Sequence, residues 1–356
     1  MQATDDASGQ TKSSEMMKNI SSGKWKGLEA VSDSRGIIAA LAIDQRTALR
    51  SLMAKAKSVE PESIPGEMLA EFKEAVSRIL TPHATAILLD PEYGLSAAQQ
   101  RAKNAGLLLA YEQSGYDKTV PGRLPRLLEH WSARRLVDAG ADCVKILLYY
   151  SPSSGTEIND LKQAWVERIG AECRALDVPF FLELVSYHEG MEDKSREFAK
   201  VKPAVVTQSM EEFSKPQYGV DVLKVGVPVT MAYVEEAPGA VKDWLHSREE
   251  AKTHFRRAAE AARVPFIYLS EGVSNELFED ALRLAAEAGG NFSGVLCGRA
   301  TWKDGVPIYV KEGVAALENW LKVEGVKNIQ RVNARLNAAK PWFAPREGES
   351  AATLAR

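Results

Sequence analysis

Eight short runs of apolar residues recur along the chain, with amphipathic stretches between most of them. The runs are GIIAALAID (36–44), TAILLD (85–90), GLLLAYE (106–112), CVKILLYY (143–150), FFLELVSY (180–187), VLKVGVPV (222–229), FIYLS (266–270) and GVLCGR (294–299). Each is close to continuously apolar, the pattern of strands covered on both faces. Apolar residues at helical spacing mark 66–80, 123–140, 159–176, 248–262 and 274–289. The second is expected to begin near Pro125 and stop at Gly140, and the last to be capped by Ser274. The region 306–341 reads as helical and closes the ring. KWKGLEAVSD (24–33) reads as a short helix that plugs or caps one end.

Eight strands alternating with helices predict an α/β protein whose sheet closes into a (β/α)8 TIM barrel with an N-terminal extension. The competing topology is an open, doubly wound sheet. That fold usually carries a glycine-rich turn after its first strand, whereas the first strand here runs into IDQRTA, with neither GxGxxG nor a Walker A motif. There is no internal repeat and no linker-like boundary. The expected organisation is a disordered leader over 1–23, one barrel domain over 24–342 and a loose tail over 343–356.

The 356 residues are many for one ordinary core but normal for a barrel with extensions. Hydrophobic residues at 45% and charged residues at 26% indicate a globular chain. The net charge of -3 is scattered, without the basic patch that nucleic-acid binding requires. No apolar run approaches the roughly 20 residues of a membrane span, and the N-terminus lacks the apolar core of a signal peptide. Cys143, Cys173 and Cys297 are far apart and lack ligand spacing, as reduced thiols of a cytoplasmic protein would be. Assembly as a homo-oligomer is left open.

Three consecutive strands each carry an ionisable residue among apolar neighbours: Lys145, Glu183 and Lys224. Neighbouring barrel strands with these side chains facing inward would form a Lys–Glu–Lys cluster. A purely structural ion-pair network is the plain explanation, but a buried triad is often no more stabilising than an apolar one, so such clusters tend to mark chemistry. A neutral lysine amine attacks a carbonyl to form an imine, and burial with a second cation nearby frees that amine. A carboxylate beside it can move the protons of imine formation and C–C cleavage. Schiff-base aldol chemistry of this kind needs no metal and no cofactor. The metal-dependent alternative would call for clustered ligands, and His83, His130, His188, His246 and His254 show no such spacing.

Barrel active sites lie at the C-terminal ends of the strands, and phosphates often bind after strands seven and eight. Here those ends read LSEGVSNE and LCGRATW. Ser270 offers a hydroxyl, Gly272 and Gly298 allow close backbone approach, and Arg299 offers a planar cation, together a candidate anion cradle. After strand one, Asp44 and Gln45 are candidates for sugar hydroxyls and Arg46 for a second anion. The alternative for Asp44 is a helix N-cap. Asp90 and Glu92 sit at another strand end and receive no role.

These residues also carry a resemblance. LAIDQR, ILLDPEYG, VKILLYYSP, PFFLELVSY, VLKVGVPV, YLSEGVS and GVLCGRATW resemble the class I tagatose 1,6-bisphosphate aldolase family from about residue 35 to about 342. The resemblance implies a (β/α)8 barrel that reversibly cleaves a ketose 1,6-bisphosphate to dihydroxyacetone phosphate and glyceraldehyde 3-phosphate. It implies Lys224 as the imine-forming lysine, Glu183 as the proton-transfer carboxylate and Lys145 as the supporting lysine. Asp44 and Gln45 match residues facing substrate, and Ser270, Gly272, Gly298 and Arg299 match the cradle for the phosphate nearest the ketone. Two positions depart from the pattern. Strand six reads Lys224-Val225-Gly226 where the family usually has K-V-E, and strand seven reads Ser270-Glu271-Gly272 where it often has L-S-A-G. The expectation is that Glu271 reaches between strands six and seven to restore the charge lost at 226. Were it instead to point into the cradle, it would repel a dianion, which keeps a sulfonated or deoxy ketose phosphate in view as substrate. The functional alternative of another class is a non-catalytic barrel that binds a sugar phosphate and signals through a partner.

Overall fold

The computed structural model describes residues 20–117 and 119–344 of the chain. In chain order the elements are α1 (Ser22–Ala30), β1 (Ile38–Ala42), α2 (Thr47–Lys57), α3 (Gly66–Leu80), β2 (Ala86–Leu89), α4 (Leu95–Gln99), β3 (Gly106–Ala110), α5 (Ala133–Asp138), β4 (Cys143–Tyr150), α6 (Thr156–Ala175), β5 (Phe180–Ser186), α7 (Arg196–Phe213), β6 (Val222–Val225), α8 (Arg248–Ala261), β7 (Phe266–Tyr268), α9 (Asn275–Glu287) and β8 (Gly294–Cys297). After β8 come α10 (Arg299–Trp302), α11 (Gly305–Glu312), α12 (Val314–Trp320) and α13 (Val326–Asn333). All neighbouring strands pair in parallel and the sheet closes β1 to β8, the barrel the apolar pattern predicts.

Two apolar layers follow from the strand period of two. The outer layer joins the strands to the helices. The inner one gathers Ala40, Leu88, Leu108, Cys143, Phe181, Val222, Ile267 and Leu296 inside the barrel, with Leu28, Val31 and Trp342 closing its N-terminal end. There α1 does what the sequence suggests and plugs the barrel. Lys24 Nζ binds both carboxylate oxygens of Asp221 at 2.9 and 2.8 Å, and the Trp25 ring meets the Trp342 ring edge-on at 4.7 Å.

Several boundaries differ from the sequence expectation. The stretch 123–140 is helical only in α5, whose N-cap is Ser132, with its hydroxyl accepting from Arg135 N. The residues before it run irregularly because Pro125 biases Leu124 away from helical backbone. They also fold back on the end of β3, where Glu112 bridges Leu127 and Gln113 N donates to Arg126 O at 2.8 Å. Helix α1 begins two residues inside the expected leader, and Ser21 and Gly23 N–H are bound to the Asp177 carboxylate. Phe343, assigned to the loose tail, packs on Trp25 and Trp342. The remainder of both ends lies outside the described residues. Among the described residues no helix is long and apolar enough to cross a membrane.

Candidate active site

Inner-face parity carries three charges into the barrel. In the register Glu183 lies opposite Lys224, and Leu147, two residues beyond Lys145, lies opposite Glu183. The side chains meet as the sequence suggests. Lys145 Nζ and Lys224 Nζ each lie 2.8 Å from the same oxygen, Glu183 Oε2. All three residues are buried.

The two lysines differ sharply in their surroundings. Lys145 also contacts Asp44 Oδ2 at 2.8 Å and Glu112 Oε1 at 2.7 Å, so three carboxylates converge on one ammonium. Burial alone would push its pKa down, but Asp44, Glu112 and Glu183 together outweigh burial and hold it well above the ordinary lysine value. Lys145 is therefore a fixed cation. Lys224 meets a single carboxylate, with that cation beside it. Burial opposes ionisation of Glu183, yet Lys145 and then Lys224 hold it below the usual carboxylate range. The same balance, led by Lys145, holds Asp44 down. At Glu112 burial prevails over Lys145 and Arg46, and its pKa is raised.

The residues after β1 divide in their roles. Asp44 is engaged with Lys145 and does not cap α2, whose N-cap Arg46 makes no side-chain cap. Gln45 Nε2 donates to Asp44 Oδ1 at 3.1 Å, leaving Gln45 Oε1 buried without a partner; Glu112 Oε2 is a second such acceptor. Unpartnered buried acceptors beside a reactive centre suit the hydroxyls of a polyol. Arg46 corrects the expectation of a second anion site. Its guanidinium is held by Glu92 Oε2 at 2.6 Å and by the Glu112 carbonyl at 2.7 Å, and only 4% of the residue is exposed. It braces the ends of β2 and β3 against β1.

The strand-seven and strand-eight turns do come together. A Cβ added to Gly272, whose φ is +74°, would lie 2.8 Å from the Arg299 guanidinium carbon, so the arginine rests directly on this turn. A Cβ on Gly298 would meet Ala42 O at 2.9 Å and Gln45 Nε2 at 3.6 Å, which ties the strand-eight turn to the end of β1. The Arg299 guanidinium has no hydrogen-bond or ion-pair partner among the described residues, and the residue is half-buried. Ser270 is buried; its hydroxyl bonds the Cys297 thiol, whose pKa burial pushes up to about 12.

The family model for DeoC/LacD family aldolases matches residues 38–304 of the chain. The chain belongs to the DeoC/LacD aldolase family. Its similarity to individual members extends nearly end to end. It is 52% identical over 318 residues to tagatose 1,6-diphosphate aldolase 1 of Enterococcus faecalis, covering 89% of this chain and 95% of that one. It is 48% identical over 330 residues to tagatose 1,6-diphosphate aldolase of Listeria monocytogenes, covering 92% and 96%. A crystal structure from Corynebacterium glutamicum shares the fold, with a TM-score of 0.55 at 15% identity over 92% of this chain and 94% of that one.

This DeoC/LacD aldolase contains site residues that the sequence reading missed. Glu112, the last residue of the third apolar run, joins Asp44 and Glu183 on Lys145. Lys73 of α3 is fully buried and paired with Asp90, and Lys202 of α7 binds Glu271 at 2.9 and 2.7 Å. The Glu271 carboxylate stands over Gly226. Among the described residues no group of three or more His, Cys, Asp or Glu side chains is arranged to hold a metal ion. The His188 ring bonds the neighbouring Glu189 carbonyl through Nδ1.

Proposed function

We propose that this DeoC/LacD aldolase is a class I enzyme that reversibly cleaves a ketose 1,6-bisphosphate, tagatose 1,6-bisphosphate in the first instance, to dihydroxyacetone phosphate and glyceraldehyde 3-phosphate. The observation that carries this reading is the pair of lysines meeting on one Glu183 oxygen inside the barrel, Lys145 being bound by two further carboxylates, Asp44 and Glu112. Lys224 is the amine able to lose its proton, first to Glu183, and attack the substrate ketone. Loss of water, with the proton returned from Glu183, leaves a protonated imine that draws electrons from the C3–C4 bond. Ionised Glu183 then accepts the proton of the C4 hydroxyl. The C3–C4 bond breaks, the aldehyde departs and the electron pair rests in the enamine. Protonation of that enamine and hydrolysis of the imine release dihydroxyacetone phosphate.

Lys145 supports this cycle as a fixed positive charge that keeps Glu183 ionised. Asp44 and Gln45 orient substrate hydroxyls. Ser270, Glu271, Gly272, Gly298 and Arg299 form the strand-seven and strand-eight end of the pocket, where Arg299 receives the phosphate nearest the ketone. The relatives named above are tagatose 1,6-diphosphate aldolases by name, and the near-complete coverage supports the same substrate here. The three free, separately buried cysteines fit a reducing compartment, which we take to be the cytoplasm.

Borohydride trapping tests the reading. The protein is incubated with dihydroxyacetone phosphate, reduced with sodium borohydride and mapped by peptide mass. A reduced adduct on Lys224 is expected. An adduct on Lys145 would invert the two roles, and the absence of any adduct would reject the imine mechanism.

A further inference from the structure

With Arg46 committed to Glu92 and Glu112, the far end of a bisphosphate needs another cation, and the mouth of the barrel offers one. Tyr149 lies on β4 with the same inward parity as Lys145, two layers nearer the mouth. Its ring packs edge-on against Tyr116 at 4.7 Å and Tyr187 at 6.2 Å. Above these rings lies Arg123, its guanidinium 5.1 Å from the Tyr149 centroid and 4.4 Å from that of Tyr187. Burial, and then the charge of Asp193, push the Tyr149 hydroxyl up, with Arg123 opposing and Glu183 and Arg299 acting from further off.

The chain is shaped to put Arg123 there. Arg123 has a φ of +44°, an uncommon conformation for a residue with a side chain, directly after Gly122 at +90°. Gly122 N–H is tied across the mouth to Glu189 Oε1 at 2.8 Å. The arginine side chain is only 11% exposed, and its carboxylate partner is Asp193, 38% exposed, at 3.1 and 3.4 Å. This is a long, loose pair with a solvent-facing residue, unlike the 2.6 Å pair of Arg46. Behind Tyr187, the buried Lys162 amine donates to the Tyr187 hydroxyl at 3.0 Å; burial lowers its pKa to about 7, so it leaves Arg123 as the fixed cation on this side.

We propose that Arg123 binds the phosphate on the aldehyde half of the substrate, exchanging Asp193 for the dianion; this rests on the ketose-bisphosphate reading above. Stacking on two tyrosines fixes the guanidinium plane beforehand, so little side-chain freedom is lost when the anion arrives. Arg299 and Arg123 then hold the two ends of the substrate, with the reactive carbonyl between them at Lys224.

The test compares tagatose 1,6-bisphosphate with tagatose 1-phosphate, which lacks the distal anion. For Arg123→Ala, kcat/KM on the bisphosphate should fall about 30-fold, chiefly through KM, while kcat/KM on the 1-phosphate changes less than about threefold. Arg123→Lys should recover part of the loss. Equal losses on both substrates, or no loss on the bisphosphate, would overturn the proposal. Asp193→Asn supplies an independent arm should Arg123→Ala fail to fold. It should lower KM for the bisphosphate alone, and an unchanged KM would count against the exchange. Dihydroxyacetone phosphate has no distal phosphate, so its borohydride adduct should form equally in wild type and Arg123→Ala. Failure of the wild type to form that adduct would instead remove the aldolase reading, and this proposal with it.

Discussion

The carboxylate of Glu271 occupies the place where a side chain at position 226 would begin: a Cβ on Gly226 would lie 2.4 Å from Glu271 Oε1. Glu271 reaches there from a left-handed backbone, φ +49°, and is held by Lys202. The glycine on strand six and the glutamate on strand seven are thus two halves of one arrangement, as the reading of Glu271 as a replacement carboxylate requires. Gly226→Ala should be destabilising by about 1–3 kcal/mol because a core contact is overfilled. In the Glu271→Ala background that penalty should vanish. Gly226→Glu combined with Glu271→Ala should retain more activity than the two single changes predict, since the new carboxylate again faces Lys202. Thermal unfolding and kcat/KM of the four proteins in each cycle decide this, and strictly additive losses would show the two positions to be independent.

The barrel and the reacting triad were legible because they rest on short-range rules. Near-continuous apolar runs define strands covered on both faces, and a lysine or glutamate within such a run stands out. Consecutive barrel strands are neighbours, so Lys145, Glu183 and Lys224 could be placed together before their facing was known. The rest depended on reach. Lys73 and Lys202 are buried ammoniums on amphipathic helices, where a lysine ordinarily faces water. Glu112 shares the inward parity of Leu108 and Ala110 but lies beyond the end of β3, and as the final residue of its run it was taken for the polar edge of the strand. Arg46 looked free because the two groups that hold it, Glu92 and the Glu112 carbonyl, are 46 and 66 residues away. The 123–140 stretch has helical spacing, yet pairing with the end of β3 took precedence over that local preference.

Lys145 is the electrostatic keystone of the cluster, and its removal should leave Asp44, Glu112 and Glu183 facing one another unneutralised. Lys145→Met should cost about 3–5 kcal/mol near neutral pH. The pH dependence follows from the signs. Asp44 and Glu183 have depressed values in the folded protein, so they add stability above their unfolded values near 4, lost as the pH falls through the folded ones. Glu112, with a raised value, contributes in the opposite sense: its penalty is full above its folded value and fades as the pH falls from there to its unfolded value. Without Lys145, burial and mutual repulsion raise the pKa values of these carboxylates in the folded variant, so they protonate between pH 7 and pH 4 and the deficit of the variant should shrink over that range. A deficit of constant size in urea titrations across that range would contradict the assignment.

Glu183→Gln separates proton transfer from imine formation. The amide keeps the shape of the side chain between Lys145 and Lys224 but cannot accept the C4 hydroxyl proton. Cleavage of the bisphosphate should fall by about 10²–10⁴-fold in kcat. Borohydride should still trap dihydroxyacetone phosphate on Lys224, more slowly, because the nucleophile remains. Retention of kcat within a few-fold would assign proton transfer to another group, for which Glu112, with its raised pKa, would be the next candidate.

Arg46 should behave as a brace. Its guanidinium ties the N-cap position of α2 to Glu92 and to the Glu112 backbone, and through Glu112 to the carboxylates around Lys145. Arg46→Ala leaves the Glu112 carbonyl and a half-exposed Glu92 without their donor, which should cost about 1–3 kcal/mol of stability. Any loss of activity should then fall equally on tagatose 1,6-bisphosphate and tagatose 1-phosphate, since the damage passes through the position of Glu112 and not through an end of the substrate. The comparison with Arg123→Ala is the informative one. A selective loss on the bisphosphate in Arg46→Ala, with melting temperature unchanged, would return the distal phosphate to Arg46 and require its pair with Glu92 to open on binding.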